Sequence, residues 1–341
     1  MKNILITGGC GFVGSNLTEF LIKKKFKVAT VDNFSRKGSL LNFIRLSKIG
    51  VKNFKLDISK KDSLKKIPKF DLIIDCCAEA SVEVSKSDIQ RVFDVNLIGT
   101  LNVLKKCAHD KSKIIFLSSS RVYSLDSLNA IIKDKNILKP IKIKKKIDLD
   151  FDTSGPKTLY GFTKFSSEHL IKEFSYLYNI EYIINRCGVI SGPWQFGKID
   201  QGFVSLWVWM HIMNKKMKYI GYGGNGHQVR DVLHVDDLCE LIYLQIRNIK
   251  LHNNALYSVG GGSNNAISLF NLTKICQKFT KNNLKFKKIN KTSIYDVPYF
   301  VSSIDKVKRI YNWMPKKNVS QIVNDIFLWQ KNNTIKLKRY F

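Results

Sequence analysis

The chain has 341 residues, 44% of them hydrophobic, and a formal net charge of +30. This length and apolar content indicate a globular protein that is too large for one small domain, so one large domain or two closely joined domains are expected. The seven cysteines are odd in number and lack the paired spacing of a zinc site, and the six histidines form no cluster, so no metal site is predicted.

The N-terminus argues against a targeting segment, because Met1 and Lys2 lead directly into the strand-like run Ile4–Ile6. No apolar run is long enough to span a bilayer, so we expect a cytoplasmic protein without a membrane partner. The positive charge allows an RNA-binding hypothesis, but the lysines are spread along the chain, which favours a solvated surface and no nucleic-acid partner. The densest basic cluster, residues 139–146, is a candidate for attracting an anionic substrate.

The first predicted elements are a strand over Lys2–Thr7, a glycine-rich loop and an amphipathic helix. Gly8 permits a tight turn, Gly11 lets backbone N–H groups approach a pyrophosphate, and Gly14 lets the helix pack closely on the strand. The N-terminus of the helix, with its positive dipole end, faces the anion. Phe12 and Val13 open this helix and belong to the same predicted site.

A second predicted strand, Lys27–Val31, ends at Asp32. A carboxylate at this place accepts hydrogen bonds from both adenosine ribose hydroxyls and repels a 2′-phosphate, so NAD is favoured over NADP. Arg36 lies close by and leaves NADP open. A turn residue that caps the strand is the structural alternative for Asp32.

Further predicted strands at Phe54–Leu56, Phe70–Ile74 and Lys113–Leu117, with a helix around residues 95–100, continue the alternation of strands and helices. This alternation indicates a parallel sheet with helices on both faces. The last of these strands ends in Ser118-Ser119-Ser120, where ligands bind in doubly wound folds. The serines are either a turn that satisfies its own hydrogen bonds or donors aimed at a ligand, and both interpretations stay open.

Tyr160 and Lys164 stand four residues apart where a helical pattern begins, so their side chains share one helix face. A fixed positive charge beside a phenol favours the phenolate, which can take a proton from a sugar or alcohol hydroxyl. The pair alone is common on solvated helices and gains meaning only with an upstream nucleotide fold and a hydroxyl partner.

With these pieces together, the chain resembles the extended short-chain dehydrogenase/reductase family of NAD-dependent nucleotide-sugar epimerases and dehydratases. The motifs that carry the resemblance are Thr7–Gly14, Asp32-Asn33, Asn96–Thr100, the serines 118–120, Tyr160 with Lys164, and Val229–Asp237.

The resemblance implies that Tyr160 is the catalytic acid and base, that Lys164 binds the nicotinamide ribose, and that Ser119 holds the substrate oxygen. It also implies NAD as cofactor and a nucleotide sugar as substrate. The implied cofactor contacts are Gly8, Gly11, Phe12, Val13, Gly14, Asp32, Asn33, Asp57, Ile58, Cys77, Ala78, Asn96, Ser118, Tyr160 and Lys164. The implied substrate contacts are Ser119, Ser120, Arg121, Gln195, Phe196, Gln201 and Arg230.

Within the family, the pattern favours epimerisation. Dehydratases of this family carry Asp-Glu where this chain has Ser120-Arg121. The segments 195–202 and 224–234 resemble those of the C2 epimerases that act on CDP-linked 3,6-dideoxyhexoses. Arg230 is the implied diphosphate ligand, whereas Ser293 replaces a second arginine that relatives usually carry near the C-terminus, with Lys291 as the nearest substitute.

We therefore predict an α/β protein with a Rossmann doubly wound parallel sheet and a smaller, interleaved C-terminal substrate domain. The nucleotide-binding domain is assigned to 1–185 with about 227–258, and the substrate domain to 186–226 and 259–341. Ser268 is predicted to cap a helix, and two closing helices are predicted between Asp305 and Trp329.

The alternatives are a C4 epimerase, a dehydratase or a reductase on the same fold, or a non-enzymatic NAD- or RNA-binding protein. The expected partners are a nucleotide sugar, with a CDP-hexose favoured, and further copies of the chain in a homodimer or higher homo-oligomer.

Overall fold

A computed structural model describes residues 3–80, 87–132, 146–198 and 201–341, so the basic cluster lies outside the described residues except for Lys146. The chain folds into two compact units. The first unit comprises Met1–Val122, Thr158–Arg186 and Leu238–Tyr257. The second comprises Tyr123–Lys157, Cys187–Asp237 and Ser258–Phe341. Residues 123–157 and 227–237, which the predicted boundaries gave to the nucleotide-binding domain, belong to the second unit.

The strands, in chain order, are β1 (Asn3–Thr7), β2 (Lys27–Val31), β3 (Lys52–Phe54), β4 (Leu72–Asp75), β5 (Lys113–Ser119), β6 (Tyr182–Cys187), β7 (Val189–Ser191), β8 (Met217–Ile220), β9 (Val229–His234), β10 (Ala255–Val259), β11 (Ala266–Ser268), β12 (Phe286–Ile289) and β13 (Tyr299–Phe300). The helices are α1 (Phe12–Lys23), α2 (Ser39–Ser47), α3 (Ile89–Phe93), α4 (Gly99–Asp110), α5 (Leu125–Ala130), α6 (Leu159–Tyr178), α7 (Phe203–Ile212), α8 (Val235–Asn248), α9 (Leu269–Thr280), α10 (Asp305–Tyr311), α11 (Val319–Asn332) and α12 (Thr334–Leu337). A π-helical turn, Asp94–Ile98, joins α3 to α4.

The first unit is built on a seven-stranded sheet with the order β10-β6-β5-β4-β1-β2-β3. β1 pairs in parallel with β2 on one side and with β4 on the other. The chain thus winds outward through β2 and β3 and then returns to the opposite side of β1, which is the order of a doubly wound Rossmann sheet. The predicted fold class is confirmed, and the reversal between β1 and β4 marks the ligand-binding edge.

The strands of this sheet are apolar because both of its faces are covered. Leu5, Ile73 and Ile114 on neighbouring strands are fully buried. They form one core with Val103 of α4 and Ile171 of α6. Burial on both faces fixes the register of the central strands and hence the positions at which their carboxyl ends stop.

The second unit has its own sheets and its own core. β9 pairs in parallel with β7 and β13 and antiparallel with β11, while β8 and β12 form a separate parallel pair. Helices α7, α9 and α11 contribute Val208, Leu272 and Ile322 to the core. The predicted cap is confirmed, because the Ser268 hydroxyl accepts a hydrogen bond from the Asn271 N–H at the start of α9. The two predicted closing helices correspond to α10 and α11.

Candidate active site

The turn after β1 is built for close approach of backbone to a ligand. Gly8 has a φ of +61°, a conformation that favours glycine, and a Cβ placed there would lie 3.0 Å from the Cα of Cys77. A Cβ on Gly14 would lie 2.2 Å from the Gly8 carbonyl oxygen, so α1 packs directly on this turn. Gly11 precedes α1, and no side chain caps the helix. A bare helix N-terminus over a glycine cradle fits the pyrophosphate of a dinucleotide.

At the end of β2, Asp32 is held beside this turn. One of its carboxylate oxygens accepts from the Cys10 N–H at 3.0 Å and the other from the Phe34 N–H at 2.8 Å. Burial raises the pKa of Asp32, and these backbone N–H groups partly oppose that rise. Asp32, the residue predicted to bind the adenosine ribose, thus lies at the carboxyl end of β2.

Asn33 and Asp57 lie at the same edge of the sheet and contact each other. The Asn33 amide donates to Asp57 at 3.0 Å, and the Ser59 hydroxyl donates to the other oxygen of Asp57 at 2.7 Å. Burial raises the pKa of Asp57, but the hydrogen bonds from Ser59 and Asn33 outweigh it and leave this pKa below its usual value. Ile58 is buried under Gly99, where an added Cβ would lie 2.8 Å from its side chain.

A buried carboxylate ties the ends of β1 and β4 together. Asp75 accepts from the Thr7 hydroxyl at 2.6 Å and from the Cys77 N–H at 3.1 Å, and its other oxygen accepts from Thr100 of α4 at 3.3 Å. This network fixes the segment of Cys77 and Ala78 at the ligand-binding edge. Burial strongly raises the pKa of the Cys77 thiol, so the thiol remains protonated at neutral pH.

Asn96, in the π-helical turn, has protein partners at both amide atoms. Its oxygen accepts from the Glu79 N–H at 2.8 Å, and its nitrogen donates to the Glu79 carbonyl and to the Thr163 hydroxyl, each at 3.0 Å. Asn96 therefore joins the loop after β4 to α6. A direct contact of Asn96 with the cofactor stays a prediction.

Helix α6 carries Tyr160 and Lys164 and is fixed at its first turn. The Thr158 hydroxyl caps it by accepting from the Gly161 N–H at 3.0 Å. A Cβ on Gly161 would lie 2.0 Å from the Arg121 carbonyl oxygen, so the turn that bears Tyr160 abuts the segment after β5. Thr158 thus caps the first turn of the helix, and glycine at position 161 leaves room for the neighbouring backbone.

Lys164 is buried, with 2% of its surface exposed. Its Nζ lies 3.4 Å from the Cys77 carbonyl oxygen and 4.3 Å from the centre of the Phe116 ring. A buried ammonium is costly unless polar groups or an aromatic face receive it. These two neighbours hold the ammonium beside the carboxyl end of β4 and the middle of β5, one helical turn from Tyr160.

Ser118 and Ser119, the last two residues of β5, differ in their surroundings. Ser118 donates to the buried carboxylate of Glu168, which pairs with Arg186 through two guanidinium nitrogens at 2.8 to 3.2 Å. The Ser119 hydroxyl oxygen accepts from the Arg121 N–H at 3.1 Å, a bond that does not use the hydroxyl proton as a donor. Ser118 is thus part of a buried network, while Ser119 fits the predicted role of a donor to a substrate oxygen. Ser120 and Arg121 lie in the 3₁₀ turn that follows.

In the second unit, Arg230 of β9 is engaged by its own chain. Its guanidinium donates to the Asp296 carboxylate at 2.9 Å and to the carbonyls of Val297 and Val229 at 2.7 and 2.8 Å. Asp296 lies three residues after Ser293, which stands where a second arginine was expected. To bind the diphosphate as predicted, the Arg230 guanidinium would have to contact both the diphosphate and the Asp296 carboxylate.

The other predicted substrate residues belong to a loop that packs on its own unit. The Gln195 amide accepts from the Ser191 hydroxyl at 2.8 Å and donates to the Ile190 carbonyl at 3.1 Å. The Phe196 ring lies 5.9 Å from that of Trp329. Gln201 closes the loop through backbone hydrogen bonds with Lys198. Their contacts with substrate stay predictions.

Sequence reasoning missed three buried carboxylates that position this site: Asp75, Glu79 and Glu168. Asp75 and Glu79 flank the cysteines at the end of β4, and a polar residue directly after an apolar strand was the available signal. In the described ranges, no group of His, Cys, Asp or Glu has the arrangement of a metal site. Nor does any helix there have the length and hydropathy of a membrane span.

The doubly wound sheet, the glycine cradle and the helix that carries Tyr160 and Lys164 define an α/β protein of the dinucleotide-binding class. The chain belongs to the NAD dependent epimerase/dehydratase family, whose sequence profile matches residues 4–260. The family resemblance, the prediction of an epimerase-type enzyme and the prediction of NAD as cofactor are confirmed.

Individual relatives are similar over nearly their whole length. The chain is 29% identical to CDP-paratose 2-epimerase from Salmonella typhi, covering 96% of this chain and 98% of that protein. It is 26% identical to a putative UDP-glucose 4-epimerase from Methanocaldococcus jannaschii, covering 97% and 99%. Among solved structures, UDP-glucose 4-epimerase from Thermotoga maritima with UDP-glucose has a TM-score of 0.82 at 23% identity, with 97% of this chain and 99% of that chain covered.

Proposed function

We propose that this chain is a nucleotide-sugar epimerase that inverts C2 of a CDP-linked 3,6-dideoxyhexose, the type of reaction that CDP-paratose 2-epimerase (also called CDP-tyvelose 2-epimerase) performs. The observation that carries the acid/base part of the proposal is the buried Lys164 ammonium beside the carboxyl end of β4, one helical turn from Tyr160. The similarity to the Salmonella typhi enzyme, together with the segments 195–202 and 224–234, supports the choice of sugar.

In this proposal, NAD, when bound in the glycine cradle of the first unit, supplies reversible oxidation and reduction of the sugar carbon. Tyr160 takes the proton from the sugar hydroxyl at that carbon and returns it after the ring has turned over. Lys164 favours the phenolate through its positive charge and binds the nicotinamide ribose. Ser119 donates a hydrogen bond to the reacting oxygen, and Arg230 binds the diphosphate.

A second candidate is inversion at C4 of a UDP-sugar. It is favoured by the relatives of this chain that are UDP-sugar 4-epimerases, among them UDP-glucuronate 4-epimerase from Thermodesulfobacterium geofontis at 27% identity. Elimination of water is less favoured, because Ser120 and Arg121 stand where a dehydratase needs a carboxylic acid pair.

We also propose a cytoplasmic homodimer or higher homo-oligomer. Light scattering of the purified protein tests that state, and a monomer would contradict it.

The experiment that separates these candidates is incubation of the purified enzyme with CDP-, UDP-, GDP- and dTDP-linked sugars, followed by NMR of the sugar ring. The proposal predicts a new C2 epimer from CDP-paratose with no net gain of NADH and no loss of water. Inversion at C4 of a UDP-sugar without any reaction of CDP-paratose would overturn the choice of sugar. A 4-keto-6-deoxy product would overturn epimerisation itself.

A further inference from the structure

The loop after β4 holds a carboxylate between two guanidinium groups. The side chain of Glu79 is 5% exposed. One of its oxygens lies 2.8 Å from Nη1 of Arg36, and the other lies 3.3 Å from Nε of Arg91. Arg36 and Arg91 retain 32% and 40% exposure, so both arginines reach from the surface to one buried acid.

The position of Arg36 gives this arrangement its meaning. Arg36 follows β2 and stands four residues beyond Asp32, in the region where dinucleotide-binding folds read the adenosine ribose. A carboxylate there suits the ribose hydroxyls of NAD, whereas an arginine nearby accommodates the 2′-phosphate of NADP. This chain has both residues at the same edge, so its selectivity between NAD and NADP depends on which group the Arg36 guanidinium contacts.

We propose that Glu79 is a positioning residue that sets cofactor specificity by holding Arg36 in an ion pair and thereby withholding the guanidinium from a 2′-phosphate. If Arg36 turned to a phosphate, the buried Glu79 carboxylate would lose its partner at 2.8 Å while Arg91 stayed at 3.3 Å, so Arg36 does not exchange Glu79 for a phosphate without loss. Asp32 then faces the ribose without a competing cation, and NAD is retained. The inference concerns the cofactor of the family and does not depend on which sugar is the substrate.

The backbone at Glu79 is fixed independently of its carboxylate. The Asn96 side chain accepts from the Glu79 N–H at 2.8 Å and donates to the Glu79 carbonyl at 3.0 Å. Glu79→Gln is nearly isosteric and keeps these bonds, so the loop keeps its path while the negative charge is removed. The variant therefore isolates the ion pair from the architecture of the loop.

The test is competition at equilibrium. Wild type and Glu79→Gln, each with bound dinucleotide first removed, are dialysed against equal concentrations of NAD and NADP, and the bound nucleotides are released and quantified. We expect the bound NADP to NAD ratio of Glu79→Gln to rise about tenfold over wild type, because a charge-assisted bond between a guanidinium and a phosphate becomes available. The gain should shrink at high salt, which screens this partly exposed contact.

Two further variants show whether Arg36 is responsible. The double variant Arg36→Gln with Glu79→Gln should return the ratio to the wild-type value, and Arg91→Gln should leave it unchanged because the pair of Glu79 with Arg36 remains. A ratio within about twofold of wild type in Glu79→Gln would overturn the proposal, as would a double variant that keeps the gain. If the role of Glu79 were purely structural, Glu79→Gln would weaken the binding of NAD and NADP equally. The ratio of bound NADP to NAD would then stay unchanged, which would also contradict the proposal.

Discussion

Among single residues, the proposed chemistry depends most on Lys164, a cation that is buried away from water. Lys164 is buried, and its neighbours are a carbonyl oxygen and an aromatic face. Neither neighbour carries a full negative charge, so the ammonium keeps its positive potential for groups at the ligand edge. The proposed role of Lys164 requires a positive charge at this place.

Replacing Lys164 with Met tests this role. Met fills a similar volume, so the protein should stay folded, whereas the rate near neutral pH should fall by at least about 100-fold because the cation that favours the phenolate is gone. Lys172→Met, at an exposed position of the same helix, is the matched control and should keep wild-type activity. The rate of Lys164→Met should recover towards alkaline pH more than that of wild type. A variant that stays within about threefold of wild type at every pH would contradict the role.

The residues that sequence could predict at this site are those whose signal is local. Tyr160 and Lys164 share a helix face by their spacing, and the turn glycines are adjacent in the chain. The pairing of Arg36 with Glu79 joins residues 43 positions apart and leaves no periodic pattern. The interactions of Arg230 with Asp296 and of Ser118 with Glu168 were missed for the same reason.

At the scale of elements, the start of α6 decides where Tyr160 lies. The Thr158 hydroxyl caps this helix, and Thr158→Ala should lower the free energy of unfolding by about 1 kcal/mol and also lower activity, because the first turn loses its anchor. Asn318→Ala removes a comparable cap from α11, where the Asn318 side chain accepts from the Gln321 N–H at 3.0 Å. It should cost similar stability in urea unfolding but leave the rate unchanged. Equal losses of rate in both variants would argue against a positioning role of the α6 cap.

The junction of β9 with α8 gives stability a dependence on pH. Burial lowers the pKa of His234, and Lys317 adds to this effect against the opposing carboxylates of Asp236, Asp325 and Asp237. The unfolded chain therefore binds more protons than the folded chain below the usual histidine pKa of about 6.5. The contribution of neutral His234 to the free energy of unfolding is therefore complete above that pH. It is lost as the pH falls towards the lower pKa that His234 has in the folded state.

The urea midpoint should accordingly decline from about pH 7.5 to about pH 5.5. The neutral ring is also needed because its Nδ1 accepts from the Asp236 N–H at 3.0 Å. His234→Asn offers an acceptor that does not titrate and should reduce this decline, although buried His211, whose pKa burial also lowers, retains its share. An identical decline in His234→Asn and wild type would exclude His234 as its source.

Element types were easier to predict than their partners. β2 is confirmed at its predicted bounds, Lys27–Val31, because apolar β-branched residues and a following carboxylate mark it. The sheet order could be inferred only through the family, since pairing of β1 with both β2 and β4 is a long-range choice. The assignment of residues 123–157 to the second unit was also not predicted, because Gly155-Pro156 near its C-terminal boundary indicates a turn but does not show which unit the segment joins.

At the scale of the whole molecule, the formal charge of +30 should oppose compactness through self-repulsion. Salt screens charges over about 10 Å at about 0.1 M, so the thermal midpoint should rise between about 0.02 M and about 0.3 M sodium chloride. Differential scanning calorimetry measures this directly. A midpoint that falls over this range would indicate that attractive ion pairs, such as that of Lys317 with Asp325 at 2.7 Å, outweigh the net repulsion.

In the proposed reaction, the phenol of Tyr160 moves the substrate proton. The most direct measurement is the initial rate of epimerisation by Tyr160→Phe, with bound NAD quantified in the same sample and Tyr176→Phe, 88% exposed on the same helix, as control. This role of Tyr160 predicts a fall of at least about 100-fold with NAD content unchanged, while the control keeps the wild-type rate. A folded, NAD-loaded Tyr160→Phe that turns over within about threefold of wild type would contradict it.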